Sequence, residues 1–201
     1  MAGGLRERKK ERTRRLIAET ARALFDERGF DAVPVAEVAR AADVSEKTVF
    51  NYFPAKEDLV FWGRESFEEE MAAAIRDRPS GESALEAFAR FVLAAREPPE
   101  VARMIEASPA LRAREQLVLA RHTAALAGAL AEASGAEAGD PEPRVAANAM
   151  IGVYRDLVSH ARRRAADGAG EAAVSREIGA RGRRAVALLE EGLGHYAIKP
   201  G

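Results

Sequence analysis

Between Ser45 and Lys56 the chain gathers hydroxyls, a carboxamide, ammonium groups and aromatic rings: Ser45, Lys47, Thr48, Phe50, Asn51, Tyr52 and Lys56. At helical spacing Val49 and Phe53 take the inner side. Lys47, Thr48, Phe50, Asn51 and Tyr52 are then left on the outer side, a hydrogen-bonding and aromatic surface small enough for a DNA major groove. Upstream stand Arg6, Arg8, Lys9, Lys10, Arg12, Arg14 and Arg15 against only Glu7 and Glu11, a basic arm suited to phosphate contact. Glu46 has two readings. It accepts from a cytosine amine, or it favours the positive end of its own helix.

Other chemistries find less support. Cysteine is absent, which excludes disulfides, thiolate nucleophiles and cysteine-ligated metal centres. His122, His160 and His195 lie far apart in sequence and lack the i, i+4 spacing of a helical metal site. Glu68, Glu69 and Glu70 are consecutive, so on a helix they point in different directions and read as a solvated face. No nucleophile–base pair and no glycine-rich phosphate loop after a strand is present, so no enzyme, catalytic residue, metal or cofactor is expected. A helical scaffold that binds protein is the remaining alternative, and the basic arm opposes it.

The elements that must position the Ser45–Lys56 stretch are helices. Leu16, Ile17, Thr20, Ala21, Leu24 and Phe25 form an inward stripe that Gly29 ends. Val35, Val38, Ala39 and Ala42 form a second, short one; Asp43-Val44 is the turn, with Val44 plugging the gap between helices, and Ser45 caps the helix that follows. Together with Gly29-Phe30 and Lys56-Glu57-Asp58-Leu59, this set resembles the DNA-binding domain of tetracycline-repressor (TetR) type regulators. That resemblance implies that Thr48 and Tyr52 hold phosphates or base edges and that Lys56 clamps the DNA backbone, and it extends to Lys47, Phe50 and Asn51. Two positions depart from the family pattern. Asp43 stands where glycine is usual, and Asp tolerates the left-handed conformation; Val33-Pro34 replaces the usual Ser or Thr, with Pro34 suited to be the first helical residue. A phosphate-contacting hydroxyl is thereby lost near Pro34.

The rest of the chain is rich in Ala, Leu, Glu and Arg without strand-like alternation, which predicts an all-α fold of about nine helices. Residues 10–62 are expected to form the helix-turn-helix domain and 63–201 a helical ligand-binding and dimerisation domain. A helix through Leu59, Val60, Trp62 and Phe67 to Met71 is expected to link them. Trp62, Phe67, Phe88, Phe91, Met104, His122, Met150 and Tyr154 either line an apolar ligand pocket or pack as ordinary core. Two long C-terminal helices, Pro143 to Ala166 and Glu171 to Leu193, carry Ala149, Gly152, Val153, Leu157, Val186 and Leu189, expected at a two-fold interface or on an intramolecular packing face. The resemblance implies a homodimeric repressor of a palindromic double-stranded DNA operator, released by a small apolar or amphipathic ligand. No apolar run approaches the roughly 20 residues of a membrane span, and the basic N-terminus lacks the apolar core of a secretory signal, so a cytoplasmic protein is expected. The net charge of −1, from 31 basic and 32 acidic residues, argues against indiscriminate polyanion binding and leaves a local basic face open.

Overall fold

The computed structural model describes residues 3–63, 65–95 and 97–192. Among them are ten helices and no strand: α1 (Gly3–Arg28), α2 (Val35–Ala41), α3 (Glu46–Tyr52), α4 (Asp58–Phe61), α5 (Glu65–Arg76), α6 (Ala84–Ala94), α7 (Pro99–Ala107), α8 (Pro109–Ser134), α9 (Glu142–Ala166) and α10 (Glu171–Glu191). The all-α expectation holds, with one helix more than the sequence suggested. Leu193 and His195 lie outside the described residues, as does the side chain of Arg6.

The chain divides into two compact units, Met1–Glu65 with Glu100–Gln116, and Ser66–Pro99 with Leu117–Gly201. The sequence-based division at 62/63 did not place α7 and the start of α8 with the N-terminal helices. Polar pairs account for part of that grouping: Arg103 donates to Asp26 at 3.1 Å, the Ser108 hydroxyl to Asp31 at 3.0 Å, and Arg114 pairs with Asp58.

In the first unit α1 buries Ile17, Ala18, Ala21 and Phe25. Leu16, expected inside, is 50% exposed, because the inward face of α1 is centred on Ala18 and Ala21. The basic run is no separate arm; it continues α1. Val38, Ala39, Ala42, Val49 and Phe53 are buried as the spacing required. Asp43 has φ 53°, the left-handed geometry the turn needs. Pro34, expected as the first helical residue, instead occupies the N-cap of α2 with extended ψ 153°, and its carbonyl accepts from the Glu37 N–H at 3.0 Å. The expected connecting helix is broken as well. Gly63, with φ +87°, separates α4 from α5.

The second unit packs Met71, Ile75, Phe88, Val92, Leu126, Leu130, Ile151 and Leu157 into one apolar core. A capping box starts α6: Ser83 Oγ accepts from Glu86 N at 3.1 Å and Glu86 Oε2 from Ser83 N at 2.7 Å. Around the core, cations meet carboxylates. Arg162 forks onto Glu97 at 2.6 and 2.9 Å, Arg164 onto Glu177 at 2.9 and 3.2 Å, and Arg181 pairs with Asp156. Where α10 crosses α6, a Cβ on Gly182 would stand 2.5 Å from Leu93 Cδ2, so the absent side chain is what allows this approach.

Candidate nucleic-acid interface

The candidate face begins at Ser45, whose extended backbone leaves its hydroxyl to accept from Thr48 N at 3.1 Å. Thr48 Oγ1 lies 2.8 Å from the same Ser45 Oγ, so the two hydroxyls form one polar corner at the start of α3. Lys47 and Asn51 are exposed, Phe50 is 46% exposed, and Thr48 and Tyr52 are half-buried. On the opposite side Val49 and Phe53 are buried, which fixes which way the outer residues point. Glu46 sits exposed in the first turn of α3, where its charge favours the N-terminal end of the helix.

Arg14 holds its guanidinium 5.5 Å from the centre of the Phe53 ring, a cation–π contact linking α1 to the end of α3. Lys56 turns inward. Its Nζ donates to the Phe30 carbonyl at 2.6 Å and lies 4.3 Å from the Phe30 ring centre and 5.5 Å from that of Phe25. Burial holds this ammonium below the usual lysine range, an effect that the carboxylates of Asp31 and Glu57 partly offset. Arg22 escaped the sequence reading. It donates to the Trp62 carbonyl at 2.6 Å with its guanidinium 5.4 Å from the Trp62 ring centre. Its position one helical turn from Ala18 and Phe25, on their face, is the signal that a charge stood inside the apolar stripe.

In the second unit Phe67 stands 4.9 Å from Phe91, 4.8 Å from His122 and 5.3 Å from Tyr154, measured between ring centres. Phe88 and Met150 belong to the same core, whereas Trp62 and Met104 fall in the first unit. Glu68, read from sequence as part of a solvated face, comes within 3.7 Å of buried His122 Nε2 and 3.4 Å of Arg121 Nε. Of the candidate interface residues, Ala149 and Gly152 are exposed on α9, Val153 and Leu157 are buried in the core, and Val186 and Leu189 are half-buried on α10. No group of three His, Asp or Glu side chains among the described residues could hold a metal ion.

Residues 17–61 match the family model of bacterial regulatory proteins of the TetR family, and residues 82–193 match the MftR C-terminal domain of the same class. The chain belongs to the TetR family. A relative, the HTH-type transcriptional regulator TcmR of Streptomyces glaucescens, is 35% identical over 85 residues, covering 42% of this chain and 38% of that protein. The matched segment thus spans well under half of that relative. Among solved structures, Salmonella enterica GusR has a TM-score of 0.53 at 20% identity, over 89% of this chain and 95% of its own. A transcriptional regulator from Rhodococcus sp. RHA1 gives 0.52 at 19% identity, over 93% and 99%. Thermus thermophilus FadR, a TetR-family repressor in complex with lauroyl-CoA, gives 0.50 at 24% identity, over 94% and 99%. At such identities these structures speak for the fold. The helices α2 and α3, with Ser45 and Asn51, lie inside the segment that matches the TetR-family model.

Proposed function

We propose that this TetR-family chain is a cytoplasmic homodimeric transcriptional repressor that binds a palindromic duplex operator and leaves it when a small apolar or amphipathic molecule binds. The observation that carries this reading is α3 itself. A capped helix of seven residues buries Val49 alone and turns Lys47, Phe50 and Asn51 outward. Packing explains none of those three. Lys47 and Asn51 read base edges, Phe50 meets a thymine methyl, Ser45, Thr48 and Tyr52 take phosphates, and the basic face of α1, Arg14 included, adds the salt-dependent share of affinity.

Residues 10–62 carry DNA binding, and 63–201 carry ligand binding and dimerisation. Phe67, Phe91, His122 and Tyr154 are the side chains we assign to the ligand, since flat rings gathered on Phe67, one of them an imidazole with Glu68 at its edge, suit a partly polar apolar molecule. Release requires that the ligand bind one helix arrangement better than the other. On α9, Val145, Ala149 and Gly152 follow one another at i, i+4 and i+7, all exposed, and give a second copy a smooth strip to pack on. No catalytic step is assigned to any residue.

Selection of bound sequences from a random duplex library at near-physiological salt tests the reading. An enriched palindrome with half-site centres about 34 Å or a multiple apart is the expected result. Failure of any sequence to enrich, with folded protein, overturns it.

A further inference from the structure

Every exposed side chain of α3 has a part in the reading above except Glu46. This residue is exposed, and no hydrogen bond or ion pair engages its carboxylate among the described residues. Ser45 supplies the cap of the helix, its hydroxyl accepting from Thr48 N at 3.1 Å, so Glu46 is not needed there. Arg40 and Asp43 line the same open recess, and Arg40 forms no ion pair with Glu46. The helix dipole accounts for a negative charge in the first turn; it does not account for an acid on a side that meets a polyanion. With Val49 and Phe53 buried, Glu46 and Phe50, four residues apart, share one edge of that side, and Lys47 and Asn51 share the other.

A carboxylate brought to DNA is repelled by phosphates and by the N7 and O6 acceptors of guanine, and the water it loses must be replaced by an N–H donor. In the major groove the amines of cytosine and adenine donate. The adenine amine lies between two acceptors, N7 of its own ring and O4 of thymine, whereas the cytosine amine has guanine O6 on one side alone. We propose that Glu46 is a specificity-determining residue that accepts a hydrogen bond from the N4 amine of a cytosine one or two base pairs from the thymine whose methyl meets Phe50. One helical turn separates the two side chains by about 5–6 Å, against about 3.4 Å between stacked base pairs. This role rests on the DNA-binding reading above and adds to it a base and that base's neighbour.

Selection from a random duplex library, run side by side with the full parent chain, Glu46→Ala and Glu46→Gln, tests the role. The parent is expected to prefer cytosine at one half-site position by about fivefold or more, within two base pairs of a preferred thymine. Glu46→Ala is expected to lose that preference and keep the others, and Glu46→Gln, whose amide pairs with adenine, to move it to adenine. Affinity of Glu46→Ala is expected to fall several-fold on the parent's operator and to rise on unrelated duplex, because a charge repelled by every phosphate is gone. A second measurement uses the unaltered chain: N4-methylcytosine at that position keeps base pairing, removes the groove-facing amine hydrogen, and is expected to lower the parent's affinity several-fold. A base profile of Glu46→Ala identical to that of the parent, a parent profile without cytosine at that distance from thymine, or indifference of the parent to N4-methylcytosine overturns the role. If a palindrome enriches and its profile is unmoved by both substitutions, the role of Glu46 fails while the DNA-binding reading stands. If no sequence enriches with folded parent, that reading fails and the role falls with it.

Discussion

The helix α3 and the α9–α10 pair use polar side chains in opposite ways. Across α9 and α10, Arg164 is forked onto Glu177, His160 Nε2 lies 3.0 Å from the same carboxylate, and Arg181 holds Asp156. In α3, Lys47 and Asn51 are exposed, and Lys47 has no ion pair among the described residues. A donor satisfied within its own protein has little to offer a partner. A donor facing water can exchange that water for a base edge or a phosphate at small cost. The difference teaches where to look for recognition: among polar groups whose position the fold explains and whose contacts it does not.

Substitutions can break each side of that contrast. Phe53→Ala is expected to do most damage, costing about 3–5 kcal/mol as a buried ring is lost from beneath α3, with operator binding falling along with the thermal midpoint. On the other side, Arg162→Ala leaves the Glu97 carboxylate, largely buried beside α9, without its fork, and about 3 kcal/mol is expected in denaturant unfolding. Ser45→Ala removes only a cap, about 1 kcal/mol, yet it also loosens Thr48, so DNA affinity is expected to fall more than overall stability does.

The smallest effect is one of pH. Arg181 holds the Asp156 carboxyl below its usual range, chiefly by a side-chain hydrogen bond, and Arg164, with His160, does the same for Glu177. Acids depressed in the folded state contribute stability that is fully present above their unfolded values, 3.8 and 4.5, and is lost as pH falls through the folded ones. Unfolding followed from pH 6 downward should therefore show α9–α10 weakening below about pH 4.5, modestly because these groups are exposed. Asp156→Asn should remove part of that acid dependence, and an unchanged profile would mean that the pair contributes nothing.

Much of the first unit was legible in the sequence because its steric demands are local. Ala39 is buried in the short helix before a turn in which Asp43 takes a left-handed φ that few residue types tolerate, and Ser45 stands one position before a helix that needs a cap. Elsewhere the periodic pattern ran past features it could not register. Apolar spacing continues from Leu59 to Met71 straight through Gly63, and only the backbone φ of that glycine reveals the break. Leu16 counts as apolar in any pattern, yet which side of α1 is inward depends on neighbours distant in sequence. The same limit applies to the second unit: a ring that packs the core and a ring that meets a ligand have identical spacing. Trp62 and Met104 fall in the first unit, a grouping of distant segments that spacing does not reveal, and Glu68 beside His122 went unnoticed because a pair between α5 and α8 leaves no linear trace.

The most direct test of recognition by α3 is the affinity of Asn51→Ala for the selected operator and for unrelated duplex, measured side by side at one salt concentration. Loss of about 1–3 kcal/mol on the operator with non-specific binding unchanged is the expected result, the size of one paired base contact. Equal loss on both DNAs, or no loss on either, would contradict the assignment of base reading to the exposed face of α3.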